Sequence, residues 1–137
     1  MKEKKVMCFG TFDLLHLGHI NLLKQAKKHG NHLIVIVARD VNVVGKHKIV
    51  HAEDDRLELI KTLNLVDEAF LGDKKDKLKP ILKIKPDIIC LGYDQEIDEI
   101  KLKEILAKKT LFPEIIRLKP FKEKKHKSSL IKKKFEN

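Results

Sequence analysis

The chain has 137 residues, enough for one domain of ordinary size, and carries 30 Lys and Arg against 20 Asp and Glu, a formal net charge of +10. With 42% hydrophobic residues beside 36% charged ones it reads as globular rather than disordered, and without Trp its core must be built mostly from Ile, Leu and Val. No run is apolar for long enough to span a membrane, and the charged start Lys2–Lys5 leads into an apolar run too short for a signal peptide, so the expected compartment is the cytoplasm.

Taken in chain order, Val6–Phe9 reads as a first strand. Ile20–His29 reads as a helix, with Ile20, Leu23 and Ala26 inward and Lys24, Lys27 and Lys28 outward; Gly30 and Asn31 stop it. Leu33–Val37 is a continuous apolar run, as expected of a strand buried on both faces of a parallel sheet. Residues 39–52 read as a loop and Glu53–Leu65 as a helix whose acidic first turn complements the helix dipole. A short strand over Glu68–Leu71 precedes a helix over Asp76–Lys85 that contains Pro80. A strand follows over Asp87–Leu91, then a helix over Ile97–Lys108, a fifth strand over Ile115–Leu118 and a last helix from Ser128 to Phe135. This alternation predicts an α/β fold, a five-stranded parallel sheet covered by helices on both faces, in a single domain over 1–137. Ligands of such folds bind beyond the carboxyl ends of the strands, where strand order reverses.

The excess of lysine suits phosphorylated small molecules or nucleic acid as partners, and equally suits a Lys/Glu-rich solvated surface. Nucleic-acid binding would need aromatics for stacking, and with one Tyr and six Phe, mostly in apolar runs, that component is thin. Cys8 and Cys90 each lie in an apolar run and read as buried strand residues; neither a zinc site nor a redox pair has the required spacing.

The segment Gly10-Thr11-Phe12-Asp13-Leu14-Leu15-His16-Leu17-Gly18-His19 joins the first strand to the first helix. A helix start there presents N–H groups and a partial positive charge to an anion, and Gly18 permits close approach. This GTFDLLHLGH segment resembles the HxGH signature of the nucleotidyltransferase superfamily. The resemblance runs from the first strand to the serines near the end, and it implies a Rossmann-like three-layer α/β/α fold. Three other segments match the family's pattern: the loop with Lys46 and Lys48, followed by Arg56 on the next helix; the turn Leu91-Gly92-Tyr93-Asp94-Gln95; and Lys127-Ser128-Ser129.

The activity so implied is nucleotidyl transfer, in which an acceptor's phosphate oxygen attacks the α-phosphorus of a nucleoside triphosphate. The nucleophile is already anionic, so alignment and charge neutralisation suffice. In that scheme His16 and His19 donate to the phosphates, Lys46 and Arg56 hold them, and backbone N–H groups at Thr11 and Phe12, next to the nucleotide-binding Gly10, reach the α-phosphate. Gly92 and Asp94 meet base and ribose, Lys127, Ser128 and Ser129 hold the terminal phosphates, and Asp13 and Lys48 meet the acceptor. Mg²⁺ or another divalent cation would accompany the triphosphate, without a dedicated protein metal site. The segments Val37–Asp40 (VARD), Pro86–Gln95 (PDIICLGYDQ) and Ser128-Ser129 are most similar to the archaeal FAD synthases, which implies ATP as donor and FMN as acceptor. The alternative is CTP with glycerol 3-phosphate. Cytidylyltransferases of that kind usually have the form RTxGIST where this chain has KKHKSSL, lacking the arginine and the glycine. Small members of the superfamily often form homodimers, although no interface stripe stands out here.

Overall fold

A computed structural model describes residues 2–43 and 48–120. The elements are β1 (Lys5–Gly10), α1 (Leu17–Lys27), β2 (His32–Val37), α2 (Asp40–Val43), α3 (Glu53–Lys61), β3 (Glu68–Leu71), α4 (Lys79–Ile84), β4 (Ile88–Leu91), α5 (Glu99–Lys108) and β5 (Glu114–Arg117). The five strands form one sheet in the order β3-β2-β1-β4-β5, and every pairing is parallel.

Alternation along the strands sorts the core into two layers. Val6, Cys8, Val35 and Val37 face one side, where Leu23 and Ala26 of α1 and Ile60 of α3 cover them. Met7, Ile34, Ile36, Ile89 and Leu91 face the other, under Ile81 of α4 and Leu106 of α5. The chain winds outward from β1 through β2 to β3, then crosses back to place β4 on the opposite flank of β1. Strand order therefore reverses between β1 and β4, which puts the expected ligand crevice at their carboxyl ends.

Several boundaries depart from the sequence expectation, each for a local reason. Helix α1 begins at Leu17, three residues before the predicted start at Ile20, because the His16 side chain caps it. The predicted loop over 39–52 contains the short α2. Asp73 and Asp76 form turns, accepting from the N–H groups of Lys75, Asp76 and Leu78, so α4 starts only at Lys79, with Pro80 in its first turn. Asp98 caps α5 by accepting from the N–H groups of Ile100 and Lys101, which delays that helix to Glu99. The predicted helix from Ser128 lies outside the described residues.

Cys8 and Cys90 are register partners on β1 and β4, both buried as free thiols. Burial pushes the Cys8 thiol far up and the Cys90 thiol up to about 12.

Candidate active site

The turn from β1 into α1 is held open in an unusual conformation. Phe12 adopts φ 53°, in the left-handed region, and is buried at 3% exposure. Its ring lies across Gly10: a Cβ added to Gly10 would sit 2.6 Å from Phe12 Cε2, so only glycine fits. On its other side the Phe12 ring meets the His19 imidazole edge-on, with centroids 5.4 Å apart. The His19 ring in turn stacks on His16, with centroids 4.0 Å apart and planes 27° from parallel. The two HxGH histidines thus form a stacked pair at the start of α1.

Their protonation follows from their contacts. His16 Nδ1 accepts the Gly18 N–H at 3.0 Å as the helix N-cap, which leaves the ring proton on Nε2. His19 is held neutral. Its pKa is lowered from 6.5 to about 4, by burial first and by the adjacent His16 second, against a hydrogen bond with the Leu14 backbone that works the other way. His19 Nδ1 is buried without a hydrogen-bond partner among the described residues. A buried polar nitrogen of this kind is costly unless something completes it. The pair therefore presents oriented imidazole dipoles in a shielded site, where such groups are strongest.

Arg56 and Asp13 were expected to contact phosphate and acceptor, and the structure uses both inside the protein. Arg56 is fully buried. It donates from Nη1 to the Thr11 carbonyl at 2.7 Å, from Nε to the His51 carbonyl at 3.0 Å, and from Nη2 to Asp40 Oδ1 at 2.6 Å. Asp13, 3% exposed, accepts the N–H groups of Val50 and His51, each at 2.8 Å. Together they fasten the β1 turn to the 48–52 segment, on which Lys48 is exposed. Three of the five guanidinium N–H groups of Arg56 are placed on the Thr11 and His51 carbonyls and Asp40, and they anchor the turn. Asp40 also accepts the Glu53 N–H at 3.2 Å, Glu53 accepts the Asp40 N–H at 2.8 Å, and Arg39 pairs with Glu53 at 3.2 Å.

The turn after β4 is stitched to the same place. Gln95 donates to the Phe9 carbonyl at 3.0 Å and accepts the Gly92 N–H at 2.8 Å. Arg117, at the end of β5, donates to the carbonyls of Gly92, Gln95 and Ile97 and pairs with Glu99 at 2.8 Å. Gly92 is buried with its Cβ direction facing Leu22 of α1, and Asp94 is exposed on the same turn. Gly10, Thr11, Phe12, His16, Gly18, His19, Gly92 and Asp94 are thus gathered at one edge of the sheet. Lys46, Lys127, Ser128 and Ser129 lie outside the described residues.

Sequence reading passed over Asp40, Glu53, Gln95 and Arg117 as site residues. For Arg117 a signal existed: a lone arginine closing the apolar strand Ile115-Ile116. Asp40, Glu53 and Gln95 act through contacts that only the folded chain reveals.

Residues 7–134 match the family model described as cytidylyltransferase-like. The chain belongs to the cytidylyltransferase-like family. Among curated relatives, an FAD synthase of Ferroglobus placidus is 50% identical over 116 residues, covering 85% of this chain and 76% of that protein. The FAD synthase of Thermoplasma volcanium is 44% identical over 131 residues, covering 95% and 92% of the two chains. A crystal structure from Thermoplasma volcanium, described as a lipopolysaccharide core biosynthesis protein, superposes with TM-score 0.85 at 44% identity over 88% of this chain and 99% of that one. A protein of unknown function from Archaeoglobus fulgidus shares the fold, with TM-score 0.71 at 18% identity over 84% of this chain and 89% of that one. The five-stranded parallel sheet, its strand order and the HxGH helix start place this family member among the nucleotidyltransferases.

Proposed function

We propose that this chain is an FMN adenylyltransferase, joining the AMP of ATP to FMN to give FAD and pyrophosphate. The observation that carries the proposal is the stacked His16–His19 pair at the switch point of the sheet, in a chain about half identical to FAD synthases. The FMN phosphate oxygen attacks the α-phosphorus; the new P–O bond forms as the bond to pyrophosphate breaks. No protein nucleophile takes part. His16 offers its Nε2–H, and His19, stacked on it, holds that ring against the phosphate. The turn at Gly10–Phe12 brings backbone N–H groups to the same oxygens. Asp13, Arg56, Gln95 and Arg117 are positioning residues that fix the two turns. Gly92 and Asp94 serve base and ribose, Lys48 and Lys46 the phosphates and acceptor, and Lys127, Ser128 and Ser129 the terminal phosphates.

No three His, Cys, Asp or Glu side chains are grouped as metal ligands among the described residues. A divalent cation fits here as a partner of the triphosphate's own oxygens, where it would screen their charge. No described helix is long and apolar enough to cross a membrane.

The test is pyrophosphate release with ATP or CTP, crossed with FMN or glycerol 3-phosphate, with chromatographic identification of the nucleotide product. FAD from ATP and FMN, lost in His16→Asn, is the expected outcome. CDP-glycerol from CTP and glycerol 3-phosphate, with no FAD, would overturn the substrate assignment and keep the reaction class.

A further inference from the structure

A cavity of about 390 Å³ opens at the carboxyl ends of β1, β2 and β4, on the face of the sheet covered by α4 and α5. It lies across β1 from the histidine pair, which sits at the start of α1 on the opposite face. Its walls are hydrocarbon: Phe9, Ile36, Ile81, Leu91 and Leu102 all line it. Gly10 and Thr11 form its edge, and these residues begin the turn that leads to His16. We propose that this cavity is the subsite for the isoalloxazine ring of the acceptor flavin, so that FMN straddles the end of β1 with its ring on one face and its phosphate at the histidines on the other. The inference rests on the FMN reading and adds to it where, and by which groups, the ring is recognised.

Three observations carry it. The volume lies in the range of small-molecule sites, roughly 300–1,000 Å³, and so suits a fused tricycle. Glycerol is far too small and too polar to fill such a space. The chemistry of the walls suits the dimethylbenzene edge of a flavin, while Arg39, Asp73 and Lys77 also line the cavity and supply polar groups for the pyrimidine edge. Adenine is the competing occupant: Gln95 and Ile97 of the turn after β4 also line the cavity, so the ATP analogue in the test decides between the two rings.

The probe is lumiflavin, the flavin ring without the ribityl phosphate, titrated into the full chain. A rise in flavin fluorescence anisotropy reports binding, a readout that does not depend on an aromatic quencher in the cavity. The expected result is saturable binding that competes with FMN and is unaffected by a non-hydrolysable ATP analogue. Two variants narrow the cavity at positions that tolerate change. Ile97→Trp places a bulky ring at a lining residue that is 37% exposed. Gly72→Ala adds a methyl whose nearest neighbour would be Ile36 Cγ2 at 3.5 Å, an ordinary contact. Ile97→Trp is expected to raise KM for FMN at least tenfold with KM for ATP within twofold of wild type, and Gly72→Ala to act in the same direction more weakly. His16→Asn is expected to lower FAD formation by about 10²–10³ and leave lumiflavin binding intact. FAD formation with an unchanged KM for FMN in both variants would overturn the ring subsite and leave the enzymatic reading standing. Displacement of lumiflavin by the ATP analogue would overturn it by giving the cavity to the nucleotide. Lumiflavin binding that Ile97→Trp blocks, in a chain that makes no FAD, would uphold the subsite and overturn the transfer reaction.

Discussion

Arg56→Met separates a turn anchor from a phosphate ligand. The guanidinium is fully buried and donates to two backbone carbonyls, Thr11 and His51, and to Asp40. Each buried carbonyl left without its donor costs about 1–3 kcal/mol. The Asp40 side chain is 36% exposed, so water compensates much of the lost ion pair, which adds only about 0–1 kcal/mol. The terms add to about 2–7 kcal/mol, and the middle of that range, about 4 kcal/mol, matches the cost of breaking a buried charged network. At roughly 3–4 °C per kcal/mol for a chain of this size, a loss of about 4 kcal/mol should lower the melting temperature of the ligand-free protein by about 12–16 °C. Arg56→Lys keeps the charge but not the three-way fork, and should fall in between. The assay is thermal unfolding without nucleotide, followed by kcat and KM for ATP below the melting range. A Met variant that melts within about 2 °C of wild type, with KM for ATP raised tenfold, would refute the anchor role and return Arg56 to the phosphates.

Other expectations are more local. His16→Asn keeps an N-cap acceptor for the Gly18 N–H, so thermal stability should change by less than about 1 kcal/mol, while loss of the Nε2–H donor should lower kcat by about 10²–10³. Equal losses of stability and rate would tie the effect to folding alone. Because His19 titrates near 4 in the folded protein and near 6.5 when unfolded, the unfolded chain binds more protons between these values. Stability from this group is therefore complete above pH 6.5 and is lost as pH falls toward 4; denaturant titrations from pH 7 to 4 should show that loss reduced in His19→Gln. Cys8 and Cys90, buried with raised thiol pKa values, should react with a thiol reagent only on unfolding. Rapid labelling of the native chain would contradict their burial.

Much of this arrangement was legible in the sequence because it is local. The apolar run Leu33–Val37 announces a strand buried on both faces, and the alternation of strands with helical patterns implies the parallel sheet. GTFDLLHLGH marked the strand-to-helix junction, and His16 and His19 meet there. What the sequence concealed depends on distance along the chain. Arg56 reaches a carbonyl 45 residues away, and Gln95 one 86 residues away, so nothing near them signals the partner. An arginine on an acidic helix looks the same whether its guanidinium faces ligand or carbonyls. Helix starts were misplaced for a related reason. A histidine is an uncommon cap, and the Asp73 and Asp76 turns compete with the helix they precede.

The layered rings at the mouth of α1 also bear on how tightly a nucleotide is held. Phe12, lodged against Gly10, braces His19, and His19 braces His16, whose other edge is pinned to the Gly18 amide. Each aromatic side chain has only two side-chain torsions, and packing fixes them when the chain folds. In the proposed reaction an incoming triphosphate therefore finds imidazoles whose disorder has already been removed, and its binding need not freeze them. The seat for the reacting phosphate is in this sense a product of folding, assembled before any substrate arrives.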